Sequence, residues 1–247
     1  LGVASMGLLT PAQVAALQTR QLQALSLAQW QAMSPAQLAA LNPEQMNGLS
    51  INVLRAWSLG QVAALSPQQV QAMSVNTLGA FTPAQWQSLS PSTLAAMTAQ
   101  QWGAVSTEQM AALTTLQLAG LPAQSLAQWR PAQIQALNLV QIGALTPAQI
   151  TSLNPAQLQW LTPAQFSVIT PQTLAQFTPL QLSALTPVQL ASFSPAQVNL
   201  LTPLQMRALA PIQLQALQPA QIVALQSLQL NGLTPAQIQS LSPLQLQ

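Results

Sequence analysis

Nearly every proline of this chain falls at one register position of an eight-residue period, filling it in most octads from Pro11 to Pro243, and the residues around it repeat with the same period. That constraint excludes any long helix. A proline inside a helix removes a backbone hydrogen bond and clashes with the preceding turn, at about 3 kcal/mol each time. Every octad therefore starts a new element. Thr146 to Leu153 is representative: T-P-A-Q-I-T-S-L. Thr146 stands where an N-cap belongs, Pro147 at the first helical position, and Gln149 at N3, from which its amide can reach back to the cap N–H. Leu145 and Ile150 take the two positions of a hydrophobic staple. The spacing predicts a capped helix of about two turns per octad, with a change of direction at each Ser/Thr-Pro step.

The register holds along the chain without insertion or deletion, giving a single array over residues 1–247 of about 30 octads. Residues 1–9 are a degenerate first repeat, with Leu1 and Leu9 in the terminal apolar row, and residues 242–247 an incomplete last one. Two apolar rows are unbroken. The terminal row runs Leu9, Leu17, Leu25, Met33, Leu41 onward, and the staple row runs Val14, Leu22, Trp30, Leu38, Met46 onward. The Gln row is interrupted only at Val53, Thr77, Thr93, Ser125 and Thr173 after the first octad. The residue before the terminal position is usually Ala, Gly or Ser, which implies close backbone approach. The stretch from Leu121 to Arg130 is the clearest irregularity, with Pro122 and then Arg130 in the cap position.

A longer period is superposed. Every third residue of the terminal row, from Leu17 through Leu41 to Leu233, is Leu, whereas the column of Met33, Trp57, Phe81 and Val105 varies. A 24-residue period fits three octads per superhelical turn. The expected fold is all-α: a solenoid of short capped helices, one per octad, three to the turn and about ten turns in all. Helices this short are unstable alone, so stability must come from stacking each turn on its neighbours. The apolar rows should fill the centre and Gln, Ser, Thr, Ala and Pro the outside. A β-solenoid fits poorly, because Ala and Gln are weak strand formers, the apolar spacing does not alternate, and recurrent Pro would interrupt a ladder.

Composition restricts function. Only 2% of residues are charged, four Arg and two Glu, and Lys, Asp, His, Cys and Tyr are absent. Proton transfer, thiol or amine nucleophiles and metal ligation lack their usual side chains; Glu44 and Glu108 lie far apart in sequence. An enzyme is therefore not expected, nor any cofactor or metal. Nucleic-acid binding requires clustered cations, and Arg20, Arg55, Arg130 and Arg207 are dispersed. Polar residues in every octad rule out a conventional membrane-spanning segment. Five tryptophans, Trp30, Trp57, Trp86, Trp102 and Trp129, fall in core rows, and Trp160 alone is a candidate exposed aromatic. Leu180, Val188, Leu204, Ile212, Leu228 and Leu244 share an octad position that earlier repeats fill with Ala or polar residues. On an uncharged surface they form a candidate self-association surface, unless they pack between turns.

Ala144 to Ile150 read A-L-T-P-A-Q-I, and Ala184 to Leu190 read A-L-T-P-V-Q-L. These motifs resemble the tandem A-L-T-x-x-Q octapeptide arrays of large secreted or cell-surface bacterial proteins, and the likeness covers nearly the whole chain. The resemblance implies an extracellular or cell-surface location and a structural or adhesive role. Leu9 to Val14 also looks like the start of a TAL-effector repeat, but the longer unit, the variable base-reading pair and the basic character are missing. The expected function is a non-catalytic fibre subunit, stalk or adhesin segment that associates with copies of itself. The alternative is a scaffold for a polysaccharide, a surface or a protein partner. Ser/Thr hydroxyls beside proline are also candidates for glycan modification.

Overall fold

In the computed structural model, which describes Gly2 to Leu246, the residues form short α-helices from Val3–Met6 to Pro235–Gln239, one per octad and with no strand among them. The terminal-row assignment of Leu1, and Gln247 at the end of the incomplete repeat, lie outside the described residues. Each helix has four to six residues, shorter than the two turns expected. The remaining residues of each octad form the corner. The residue after each helix stays in a right-handed or extended conformation, and no described residue has positive φ. Helices commonly end on a left-handed glycine that ties up the last carbonyls. Here those carbonyls find other partners.

The fold is the expected solenoid. Within each unit, helices pack on those three octads later. Pro11–Ala15 meets Pro35–Ala39, which meets Leu59–Ala63, then Pro83–Ser88 and Thr107–Ala112; likewise Pro131–Gln135 meets Pro155–Trp160, then Pro179–Ser183 and Pro203–Ala208. The chain separates into two compact units, Leu1–Trp129 and Arg130–Gln247. The boundary falls inside the irregular stretch around Pro122 and Arg130.

The core of each unit consists of the two apolar rows. Tryptophans and phenylalanines of the two rows pair at intervals of 27 residues. The Trp30 and Trp57 rings lie 6.2 Å apart, Trp102 and Trp129 5.8 Å, and Phe166 and Phe193 5.5 Å. Such tilted pairs contribute about 0.5–1.5 kcal/mol beyond simple burial. The five core tryptophans are buried as expected.

The placement of the Gln row differs from expectation. The capping glutamines are not on the outside; most are as buried as the leucines, at 1–7% exposure. Each is used at both ends of its amide. Gln85 Oε1 accepts from the Thr82 backbone N–H at 2.9 Å, while its Nε2 donates to the carbonyls of Leu54 at 2.8 Å and Trp57 at 3.0 Å. In the second unit, Gln189 accepts from Thr186 N–H at 2.9 Å and donates to Leu158 at 3.0 Å and Leu161 at 2.7 Å. These acceptors are C-terminal carbonyls of the turn beneath: Trp57 and Leu161 have no backbone donor, while Leu54 and Leu158 already accept one N–H each. One side chain thus caps its own helix and closes a corner 28 to 31 residues earlier. A buried amide is tolerated because all of its strong hydrogen-bonding capacity is engaged.

This clamp persists where the hydroxyl cap is lost. Ala210 and Gln218 cannot supply a Ser/Thr-type cap, yet their backbone N–H groups still donate to Gln213 and Gln221 at 2.6 and 2.5 Å. A sparser set of bonds runs in the other direction, as from Asn47 to the Ala72 carbonyl at 2.8 Å, Arg55 to Ala80 at 3.2 Å and Gln159 to Ala184 at 2.7 Å.

Candidate interaction surface

The octad position after the N1 proline points outward. Leu180, Leu204 and Leu228 occupy it on Pro179–Ser183, Pro203–Ala208 and Ser227–Asn231, three helices stacked on successive turns, and the three side chains are 68–71% exposed. They form an apolar column along one side of the second unit, spaced by the pitch of the coil. Val188 and Ile212 form a second, shorter column on Pro187–Ala191 and Pro211–Gln215, also exposed. Leu244 is exposed beyond the last helix. None of these residues packs between turns, so the core does not widen at this position. Trp160, in the small-residue row, is only half-buried at the end of its helix.

Leu116 and Val140 hold the same octad position and are equally exposed, though the sequence reading did not single them out. Following the row upstream would have found them. Val140 stands in the column of Val188 and Ile212, with Ala164 interrupting it.

Around these columns the surface is nearly uncharged. Among the described residues of the second unit the only ionisable side chains are Arg130 and Arg207. In the first unit, Glu108 is fully exposed and its carboxyl is held below its ordinary value of 4.5, first by its own backbone N–H and then by the Ser106 hydroxyl. Among the described residues no group of acids could hold a metal ion, and no helix is long and apolar enough to cross a membrane.

The octads without glutamine change the corners. At Ser74/Thr77, Ser90/Thr93 and Thr170/Thr173 the two hydroxyls pair with each other at 2.7–2.8 Å. Thr93 Oγ1 still reaches the Leu65 carbonyl at 3.2 Å. Val53 and Ser125 make no such substitute bond, and a cavity lies beside each, of about 190 Å³ at Val53 and 290 Å³ at Ser125.

Short helices, a strict octad, three octads per turn and a buried amide at every regular corner define a tandem-repeat α-solenoid. Residues 14–51 match the family model of the ALTTAQ repeat, which bears out the likeness to A-L-T-x-x-Q arrays. No curated protein matches the chain significantly.

Proposed function

We propose that this repeat array is a non-catalytic structural protein that self-associates through its uncharged surface, as a fibre subunit, stalk or adhesin segment on the outside of a bacterial cell. The observation that carries this reading is the column of Leu180, Leu204 and Leu228, exposed side by side on stacked turns. Covering one such leucine contributes about 1.5–3 kcal/mol. Few like charges stand on this surface to keep copies apart. The extracellular location rests on the resemblance to surface arrays. Composition supports the absence of catalysis, since no His, Cys, Lys or Asp is present.

Sedimentation and mass-per-length measurements over a range of concentrations test the reading. Wild type should associate, and Leu180→Gln/Leu204→Gln/Leu228→Gln should remain dispersed with unchanged helicity. Wild-type particles that stay single at high concentration would overturn it. The second reading, a scaffold for a polysaccharide, a surface or a protein, is supported by the same exposed columns. It predicts a heterologous ligand that binds the wild-type chain and no longer binds the triple variant.

A further inference from the structure

The corner at Ser125 lacks both halves of the glutamine clamp. Pro122 stands at the cap and has no N–H for a glutamine oxygen to accept from, and Ser125 is too short to reach the turn beneath. At regular corners an Nε2 donates to the terminal-row carbonyl 28 residues back, as Gln101 does to Met73 at 2.7 Å. The corresponding carbonyl here, Met97, accepts no hydrogen bond. Beside it lies the cavity of about 290 Å³, lined by Met97, Trp102, Pro122, Gln124, Ser125 and Gln128. Ser125 is only 8% exposed, and its hydroxyl hydrogen-bonds to no protein group. The hydroxyl is not sealed from solvent, so the corner holds one donor and one acceptor without a protein partner beside an open cavity.

We propose that this corner binds a small uncharged ligand carrying an acetamido group, an N-acetylated sugar being the chemistry that fits best. The vacancy is that of a carboxamide. An acetamido N–H would donate to the Met97 carbonyl, its oxygen would accept from the Ser125 hydroxyl, and its methyl would lie against the apolar wall of Met97 and Trp102. Gln124 and Gln128 are exposed at the rim, where amides suit ring hydroxyls. No charged side chain lines the cavity, so an ionic ligand gains nothing there. The Val53 corner is smaller and offers no hydroxyl in place of the glutamine. This inference rests on the corner cavity alone and is independent of self-association.

The test is titration of the isotope-labelled full chain with N-acetylglucosamine, glucose and acetamide, followed by the amide resonances of Ser125, Gln124 and Gln128. N-acetylglucosamine should shift them saturably, acetamide more weakly, and glucose not at all. Ser125→Gln, which refills the slot, should weaken binding by at least about tenfold while the spectrum elsewhere stays that of the folded chain. Absence of saturable shifts, equal shifts with glucose, or undiminished binding by Ser125→Gln would each overturn the proposal. If Ser125→Gln disturbs the fold, Ser125→Ala, which removes only the hydroxyl, must also weaken binding.

Discussion

Gln117 Nε2 donates to the carbonyl of Leu89, 28 residues earlier in the chain, at 2.7 Å. The same nitrogen lies 2.8 Å from the Trp86 carbonyl, and the side-chain oxygen accepts from Thr114 N–H at 2.8 Å. A residue that reads as a local capping element is therefore also a tertiary contact. Removing it uncaps one helix and leaves the Leu89 carbonyl of another turn unpaired, while the Trp86 carbonyl keeps only the bond from Leu89 N–H.

Gln117→Ala should destabilise the fold by about 2–4 kcal/mol, the Leu89 carbonyl left unpaired costing about 1–3 kcal/mol and the lost cap about 1 kcal/mol. Thr114→Ala removes only the hydroxyl cap and should cost about 1 kcal/mol. Denaturant unfolding of the two variants checks the ranking. Equal losses would show that the inter-turn bonds contribute little.

Gln117→Glu keeps the shape but aims a carboxylate at two carbonyl oxygens. The charged form is disfavoured in the fold, so the folded pKa rises above an unfolded value of about 4.3. The penalty is full above the folded pKa and is relieved as pH falls through it, because the protonated acid can donate to one carbonyl. The variant's melting temperature should rise between pH 7 and pH 4. A fall over that interval would contradict this geometry.

Acid should have a different effect on the unaltered protein. Glu108 has a lowered folded-state pKa, so its contribution is present above its ordinary value of 4.5 and is lost as pH falls through the lower, folded value. With no His, Lys, Cys or Tyr in the chain, the melting temperature should be nearly flat from about pH 5 to about pH 10. A scan of thermal unfolding against pH would reveal any titration in that interval.

The Val53 corner can be repaired. Val53→Gln should place an oxygen within reach of Ser50 N–H and a nitrogen toward the carbonyls of Leu22 and Leu25, filling the cavity of about 190 Å³. A net gain of about 1 kcal/mol is expected from the new hydrogen bonds. A loss of stability in urea titration would mean that the cavity wall does not accept the amide.

Glycines divide into two kinds. A Cβ on Gly232 would lie 2.9 Å from Pro203 Cβ and 3.2 Å from its Cα and O, whereas one on Gly79 meets nothing within 4 Å. Gly232→Ala should cost about 1–3 kcal/mol through overpacking. Gly79→Ala should gain about 0.5–1 kcal/mol, as expected for a helical site with room. Paired melting curves decide the matter.

The architecture was legible because proline, hydroxyl cap and staple recur in one register, and each acts within a few residues of itself. The 24-residue period was legible for a different reason: it sorts Leu41 and Leu65 from Trp57 and Phe81, residues that meet different neighbours on different sides. The burial of the Gln row was not legible. A capping box explains Gln149 within its own octad, and nothing local reveals that the amide nitrogen is wanted 28 residues away. Leu180 and its column could be listed from sequence, but whether that position pointed in or out depended on the angle of each corner. The vacancy at Ser125 became visible only once the role of the missing glutamine was known, although Pro122 and Ser125 already marked that octad as irregular.

The clamp joins residues by a fixed offset in the chain, and every regular octad carries the same donor and the same acceptors. Loss of eight residues would therefore leave the clamps intact but rotate everything downstream by one side, bringing Leu204 out of line with Leu180. Loss of 24 would shorten the coil by one turn and leave every column aligned. Length variation compatible with both the core and the surface is thus quantised in whole turns, and related arrays should differ by multiples of three octads wherever the exposed columns matter.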